Sequence, residues 1–176
     1  RELAACGGAE EEKRNTLQAM IWCYEGINAY AKNLSRQALR DAENETDPRR
    51  KAELARLHEL CGRVPEHPAR SLDEAVNAAW IVWGALHMEN TNAGLSIGRI
   101  DQWFQPFFEA DMAKLKTDEE RRDYVKKAVD LIGCFYMRCT DHLPLVPDIG
   151  NYLFGGSSSD QAITLGGVRP DGTDAV

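Results

Sequence analysis

Between Leu72 and Leu86 the apolar residues Ala75, Val76, Ala79, Trp80, Ile81, Val82, Trp83 and Leu86 point to nearly every side of a helix axis. The helix itself is well signalled. Ser71 followed by Glu74 is a capping-box pattern, in which hydroxyl and carboxylate satisfy free N–H groups at a helix start. A helix apolar all round must be buried on most of its sides, and a small domain rarely supplies that many neighbours. The chain has 176 residues, 43% of them hydrophobic and 28% charged. A domain of about 150 residues buries about 70% of its unfolded surface, so disorder is excluded and a sizeable core is expected. The expectation for this helix is that part of its cover comes from protein beyond these residues. Arg1 in first place and Val176 soon after the turn-forming Pro170-Asp171-Gly172 point the same way, toward a fragment of a larger domain.

The remaining elements follow from period and punctuation. Leu17, Met20, Ile21, Tyr24, Ile27, Ala31 and Leu34 recur at three- and four-residue steps within a helix from about Glu10 to Asn44. Glu10, Glu11 and Glu12 gather where the helix dipole favours negative charge. Asp47-Pro48 opens a second helix that buries Leu54, Leu57 and Leu60 and ends at Gly62. Arg63 to Pro68 reads as an extended connector, because proline excludes its predecessor from the helical region. Ser96 to about Met112 has helical spacing through Ile100, Trp103, Phe104, Phe107 and Phe108, with Pro106 kinking or restarting it. Thr117 with Glu120 caps a further helix to about Cys139. After Asp141, glycines and prolines break up short apolar pieces, and Ala162 to Val168 reads as a strand turning at Arg169-Pro170-Asp171-Gly172 into a second.

Charge and cysteine usage narrow the function. With 21 Lys+Arg against 28 Asp+Glu the net charge is -7, which argues against broad binding to a phosphate backbone. No apolar run reaches the roughly 18 residues of a membrane span, and the N-terminal residues lack the form of a secretory signal. Five cysteines at irregular spacing do not make a disulfide framework, so a reducing cytoplasm is the expected compartment. Cys23 and Cys134 lie in apolar helical runs, where buried thiols are expected. Cys134 and Cys139 are spaced C-x4-C without the second pair that a zinc site needs, so no metal is expected. His87 with Glu89, and Asp141 with His142, have the chemistry of ligands or acid–base groups, but the reading that the residues favour is a helix-end histidine and a solvated Asp-His pair. Arg99 and Asp101 stand two apart, a spacing that does not pair them on a helix face, so each is expected to anchor a neighbouring segment. Gly155-Gly156-Ser157-Ser158-Ser159 lacks the Lys-Ser/Thr ending of a phosphate-binding loop. Tyr152 and Phe154 beside it suit an apolar ligand or a strand-edge core equally.

Two motifs carry a family resemblance. Gly98-Arg99-Ile100-Asp101-Gln102 with Pro106 downstream, followed by Thr164-Leu165-Gly166-Gly167-Val168, resembles the glycyl radical enzymes of the pyruvate formate-lyase-like superfamily. Asp47 to Leu54, Val64-Pro65, Pro68 and Glu74-Ala75 resemble that superfamily's helical region. His87 to Gly94 and Asn151 to Gly156 are most similar to the X-succinate synthases, the subgroup of the benzylsuccinate synthase α subunit. The resemblance implies a mainly α fragment, the N-terminal helical part of a ten-stranded α/β barrel. Residues 1–140 would form the helical region and 141–176 a loop with the first barrel strand and hairpin, together a single incomplete domain.

It also implies a carbon–carbon lyase that adds toluene or a similar hydrocarbon to fumarate under anaerobic conditions. A glycyl radical, installed by a radical-SAM activase with an iron–sulfur cluster, would start the reaction. Implied partners are fumarate, the hydrocarbon, the activase, small accessory subunits and a second copy of the enzyme. The family's catalytic cysteine and radical glycine motifs follow the TLGG strand and do not occur in these residues, so no catalytic residue is assigned and the isolated chain is expected to be inactive. Tyr152, Phe154, Asp160 and Gln161 are the implied wall of the substrate pocket, although Asp160 stands where related enzymes often carry an apolar or aromatic side chain. Gly98, Arg99, Asp101, Gln102, Gly166 and Gly167 are implied scaffold. The same resemblance admits an arylacetate decarboxylase, a diol dehydratase or a formate C-acetyltransferase-like enzyme. On the residues alone, a helical interaction domain remains open. The purified chain should bind a hydrophobic dye because of its unfilled apolar faces; a clean two-state melt with no dye binding would contradict this.

Overall fold

Asp47 opens the better-defined half of the first helical pair: its side chain accepts the Arg49 N–H at 2.9 Å, with Pro48 in the first helical turn. In the computed structural model, which describes residues 11–89, 96–141, 162–169 and 171–174, helix α1 spans Glu11–Asn44 and α2 spans Pro48–Arg63. The two pack antiparallel within one compact unit, residues 1–67. The face of α1 that is buried is a stripe of small residues, Ala31, Ser35, Ala38 and Ala42, and α2 buries Leu54 and Cys61. Small side chains let two helix backbones approach closely. Ser35 Oγ donates to the His58 carbonyl at 2.8 Å, and His58 Nδ1 donates to the Ser35 carbonyl at 3.0 Å. Gly62 does not end α2 as the sequence suggested. It lies inside the helix, where an added Cβ would stand 3.3 Å from Ser35 Oγ, and the helix continues to a cap at Val64. Glycine is there for close approach rather than for termination.

At 1.5 Å per residue α1 is about twice as long as α2, so α2 covers only the C-terminal half of its apolar face. The N-terminal half leaves Met20, Trp22 and Tyr24 exposed, and Cys23 with them, against the expectation of a buried thiol. Cys134 is exposed as well. Cys23 is exposed because no element covers this half of α1, whereas Cys134 is exposed next to the buried Phe135 of α5.

A second compact unit covers residues 68–176. Its helices are α3 (Leu72–Glu89), α4 (Ile100–Met112) and α5 (Asp118–Asp141), with short strands β1 (Ser96–Gly98) and β2 (Ala162–Ile163). Leu72, Ala75 and Val76 from α3, Ile100 and Phe104 from α4, and Ala128, Phe135 and Cys139 from α5 make one buried cluster. Aromatic rings organise it: Phe104 and Trp80 both meet Phe135 edge-on, at 6.1 and 6.3 Å between ring centres. The all-round apolar α3 therefore finds cover inside this unit, although Leu86 and Met88 stay exposed. Pro106 sits within an uninterrupted α4. Ser96 to Gly98, expected as helix, is strand. The expected terminal hairpin is reduced to β2 and a turn in which Arg169 N–H bonds the Thr173 carbonyl at 2.8 Å, with one antiparallel bridge from Val168 to Asp174.

Side chains cap the starts of two of these helices, α3 and α5. Thr117 and Glu120 form the full reciprocal box at α5, at 3.1 and 2.9 Å. At α3 only half of the box is made. Ser71 Oγ accepts the Glu74 N–H at 3.2 Å, while the Glu74 carboxylate turns to the Arg70 N–H at 2.8 Å and to its guanidinium. The partner of the Leu72 N–H comes from another helix: Asp111 Oδ2 at the end of α4 accepts it at 2.9 Å, and accepts the Tyr124 hydroxyl of α5 at 3.0 Å. Lys114 Nζ reaches the other oxygen at 2.7 Å. Burial raises the Asp111 pKa, but these three donors outweigh it and the net shift is downward. Asp111→Ala, which orphans donors from two other helices, should lose about 2–3 kcal/mol in urea unfolding, against about 1 for Tyr124→Phe. The double variant should lose less than the sum, because both changes remove one shared bond.

Candidate functional site

The two family-like motifs meet in space. β1 and β2 run parallel, Ser96 opposite Ala162 and Gly98 opposite Ile163, and the Thr164 N–H donates to the Gly98 carbonyl at 3.1 Å. Gly98 has φ +76°, a left-handed turn that frees the chain from β1 and starts α4 two residues later. Arg99 therefore stands outside the helix, and the spacing rule for helix faces does not apply to it. Its Nε and Nη2 donate to the two oxygens of Asp101 at 2.9 and 2.8 Å, a forked pair. The expectation that Arg99 and Asp101 anchor separate segments is corrected for Arg99. Asp101 does reach a distant segment: its Oδ2 accepts the Gly166 N–H at 2.8 Å across 65 residues of sequence.

The Asp101 carboxylate lies in the first turn of α4, at the positive end of that helix. Side-chain exposures of 23% for Arg99 and 11% for Asp101 put the pair mostly out of water. The Arg99 fork above all, and then the Gly166 and Gln102 amides, hold the Asp101 carboxyl well below the usual carboxylate range against the opposing effect of burial. Tyr136 moves upward, first through burial and then through the Asp101 charge. A carboxylate with three fixed donors on its oxygens and its proton affinity this low is poorly suited to general acid or base work. What it does is fix backbone. Gly166 and Gly167 follow at φ +72° and +97°, a corner that L side chains rarely adopt, and an added Cβ at Gly167 would meet an Arg99 nitrogen at 3.7 Å.

Other candidates fall elsewhere. Tyr152, Phe154, Asp160 and Gln161 lie outside the described residues, as do the Gly155–Ser159 loop and His142. His87 is buried at the end of α3, its Nδ1 donating to the Trp83 carbonyl at 2.9 Å and its ring 4.0 Å from that indole. Among the described residues no group of three His, Cys, Asp or Glu could hold a metal ion, and no helix is long and apolar enough to cross a membrane. Cys61 and Cys139 are buried, and burial pushes both thiols up, away from the reactive thiolate. A feature absent from the sequence reading is an open apolar groove of about 480 Å³ between α3, β1 and α4, lined by Ala79, Trp83, Ile97, Trp103 and Phe107. Among the described residues no ionisable side chain lines it. Its signal lay in Trp83 and Trp103, whose distance in sequence concealed their convergence.

The junction should be acid-labile in a defined sense. A depressed carboxylate contributes stability that is complete above its unfolded pKa of about 3.9 and lost as pH falls through the folded value. The stability difference between the native chain and Asp101→Asn, followed by thermal melts, should therefore be constant from neutral pH down to about 4 and shrink below it.

Comparison with known proteins agrees with this geometry. The family model for pyruvate formate lyase-like proteins matches residues 1–176. Isethionate sulfite-lyase of Nitratidesulfovibrio vulgaris is 36% identical over 167 residues, 94% of this chain and 19% of the relative. Trans-4-hydroxy-L-proline dehydratase of Clostridioides difficile is 30% identical over 93% of this chain and 20% of its own length. The crystal structure of a glycyl radical enzyme from Archaeoglobus fulgidus superposes with a TM-score of 0.82 at 31% identity, covering 100% of this chain and 22% of that one. The chain thus spans about a fifth of the length of the relatives it matches, and its mainly helical structure is that of a part of the glycyl radical enzyme fold. By sequence model, relatives and structure together, the chain belongs to the pyruvate formate lyase-like family.

Proposed function

We propose that these residues are part of a glycyl radical enzyme that eliminates a leaving group from a small polar substrate. The reading is carried by the 36% identity to isethionate sulfite-lyase over 94% of the chain, and the dehydratase relative supports the same kind of reaction. Asp160 adds to it, since an acid beside the candidate pocket suits a polar substrate better than a hydrocarbon. The radical supplies the hydrogen-atom abstraction that opens the reaction, and a radical-SAM activase with an iron–sulfur cluster would install it. The described residues fit a supporting part in that chemistry. Their buried thiols sit in helix packing, and their most perturbed acid is held by structural donors. Their work is to hold one face of a closed, dry cavity, which radical chemistry needs to suppress side reactions.

A second reading, addition of toluene or a similar hydrocarbon to fumarate, is supported by the likeness of His87 to Gly94 and Asn151 to Gly156 to the X-succinate synthases. The two readings differ in products. The full-length protein, activated anaerobically by its activase and checked for an organic radical by electron paramagnetic resonance, should release sulfite from isethionate or water from trans-4-hydroxy-L-proline. It should form no succinate adduct from toluene and fumarate. Adduct formation without either elimination would replace the first reading with the second. The 176-residue chain alone should catalyse neither reaction.

A further inference from the structure

The Arg99–Asp101 pair joins two pieces of backbone that lie 65 residues apart in sequence: the turn from β1 into α4, and the Gly166-Gly167 corner beyond β2. The parallel pairing of β1 and β2 is short, with two paired positions and an irregular register between Ser96 and Gly98. Two strand fragments of two and three residues cannot hold a parallel register by their own hydrogen bonds. Ile97 and Ile163 pack against the helix cluster and keep the strands near it. Packing of two side chains does not define where the chain goes after Ile163. The Thr164 N–H bond to the Gly98 carbonyl carries the pairing one residue further, and the Asp101 carboxylate fixes the corner that follows, because it takes the Gly166 N–H directly at 2.8 Å while the Arg99 fork holds both of its oxygens. An Arg99 nitrogen stands 3.7 Å from where a Cβ at Gly167 would lie, so the ion pair bonds Gly166 and flanks Gly167.

We propose that Asp101 is a positioning residue of the enzyme: its carboxylate, oriented by Arg99, latches the Gly166-Gly167 corner and so fixes the course of the chain that leaves β2, on which the alignment of the reacting groups depends. The catalytic part of this inference rests on the glycyl radical enzyme reading; the latch itself does not. A latch of this kind touches no substrate. It acts on rate through alignment, since misplacement of about 1 Å far from the chemistry can cost on the order of a hundredfold.

The test uses the full-length protein and two readouts. Hydrogen exchange by mass spectrometry compares peptides covering residues 162–169 with peptides covering the α5 core, residues 124–139. Asp101→Ala should speed exchange in the first by about tenfold or more, as expected for loss of a charge-assisted bond, and leave the second unchanged. Asp101→Asn, a near-isosteric change, serves if the alanine variant does not fold, with a smaller effect of the same pattern. In the activated enzyme Asp101→Asn should lower kcat by about tenfold or more with KM within about twofold and an unaltered radical yield, and Asp101→Glu should restore part of kcat. Equal acceleration in both peptides, or none in 162–169, overturns the latch. A local exchange effect with kcat unchanged overturns the positioning role. A wild-type enzyme that forms no radical and turns over no substrate overturns the functional reading, while the exchange experiment still decides the latch.

Discussion

The second unit depends on one carboxylate at the end of a helix. A helix as apolar as α3 gains from burial only if its N-terminal N–H groups, buried with it, find acceptors. Asp111 supplies the Leu72 N–H with its acceptor from α4 and binds the Tyr124 hydroxyl of α5 with the same oxygen. The three helices that share the aromatic cluster around Phe135 are thereby tied through a polar contact as well as an apolar one. Hydrophobic burial brings α3, α4 and α5 together without choosing their axial offset, because apolar contact is non-directional. The bonds of Asp111 are directional, and they set that offset.

Asp101 repeats the logic at the strand junction. Both acids are held as carboxylates by protein donors, Asp101 chiefly by Arg99 and Asp111 by Lys114 with the Leu72 and Tyr124 donors against burial. Perturbed acids in a lyase family invite a catalytic reading, since active sites collect shifted pKa values. The direction of the shift argues otherwise here. A general acid or base at neutral pH needs a carboxyl pushed up toward the working pH, and these are pushed down by fixed partners. The same residues that give the chain its family likeness, Gly98, Arg99, Asp101, Gln102, Gly166 and Gly167, are the ones that this junction assembles.

Much of the fold was legible because the helices announce themselves locally. Asp47-Pro48 and Thr117 with Glu120 act where they stand, and the caps observed are the caps read from the sequence. Local signals misled where a residue had a tertiary duty. Gly62 looks like a helix stop and is a close-approach site against Ser35. Glu74 looks like the second half of a capping box and pairs with Arg70 instead. Cys23 and Cys134 sit in apolar runs, yet both are exposed, Cys23 on a stretch of α1 that no element covers. The subgroup of the family was the least legible property. It rests on two short runs, His87 to Gly94 and Asn151 to Gly156, and relatives that the chain matches are named a sulfite-lyase and a dehydratase.

The sequence by itself determined the helices, their caps and the family, since period, capping chemistry and the order of two motifs are properties of neighbouring residues. Tertiary structure decided which groups those motifs bring together. Arg99 pairs with Asp101 because Gly98 turns the chain ahead of α4, and Asp101 meets Gly166 because β1 and β2 lie side by side. Contacts across 65 residues of chain depend on how separate helices bury their apolar faces, and no local pattern encodes that packing.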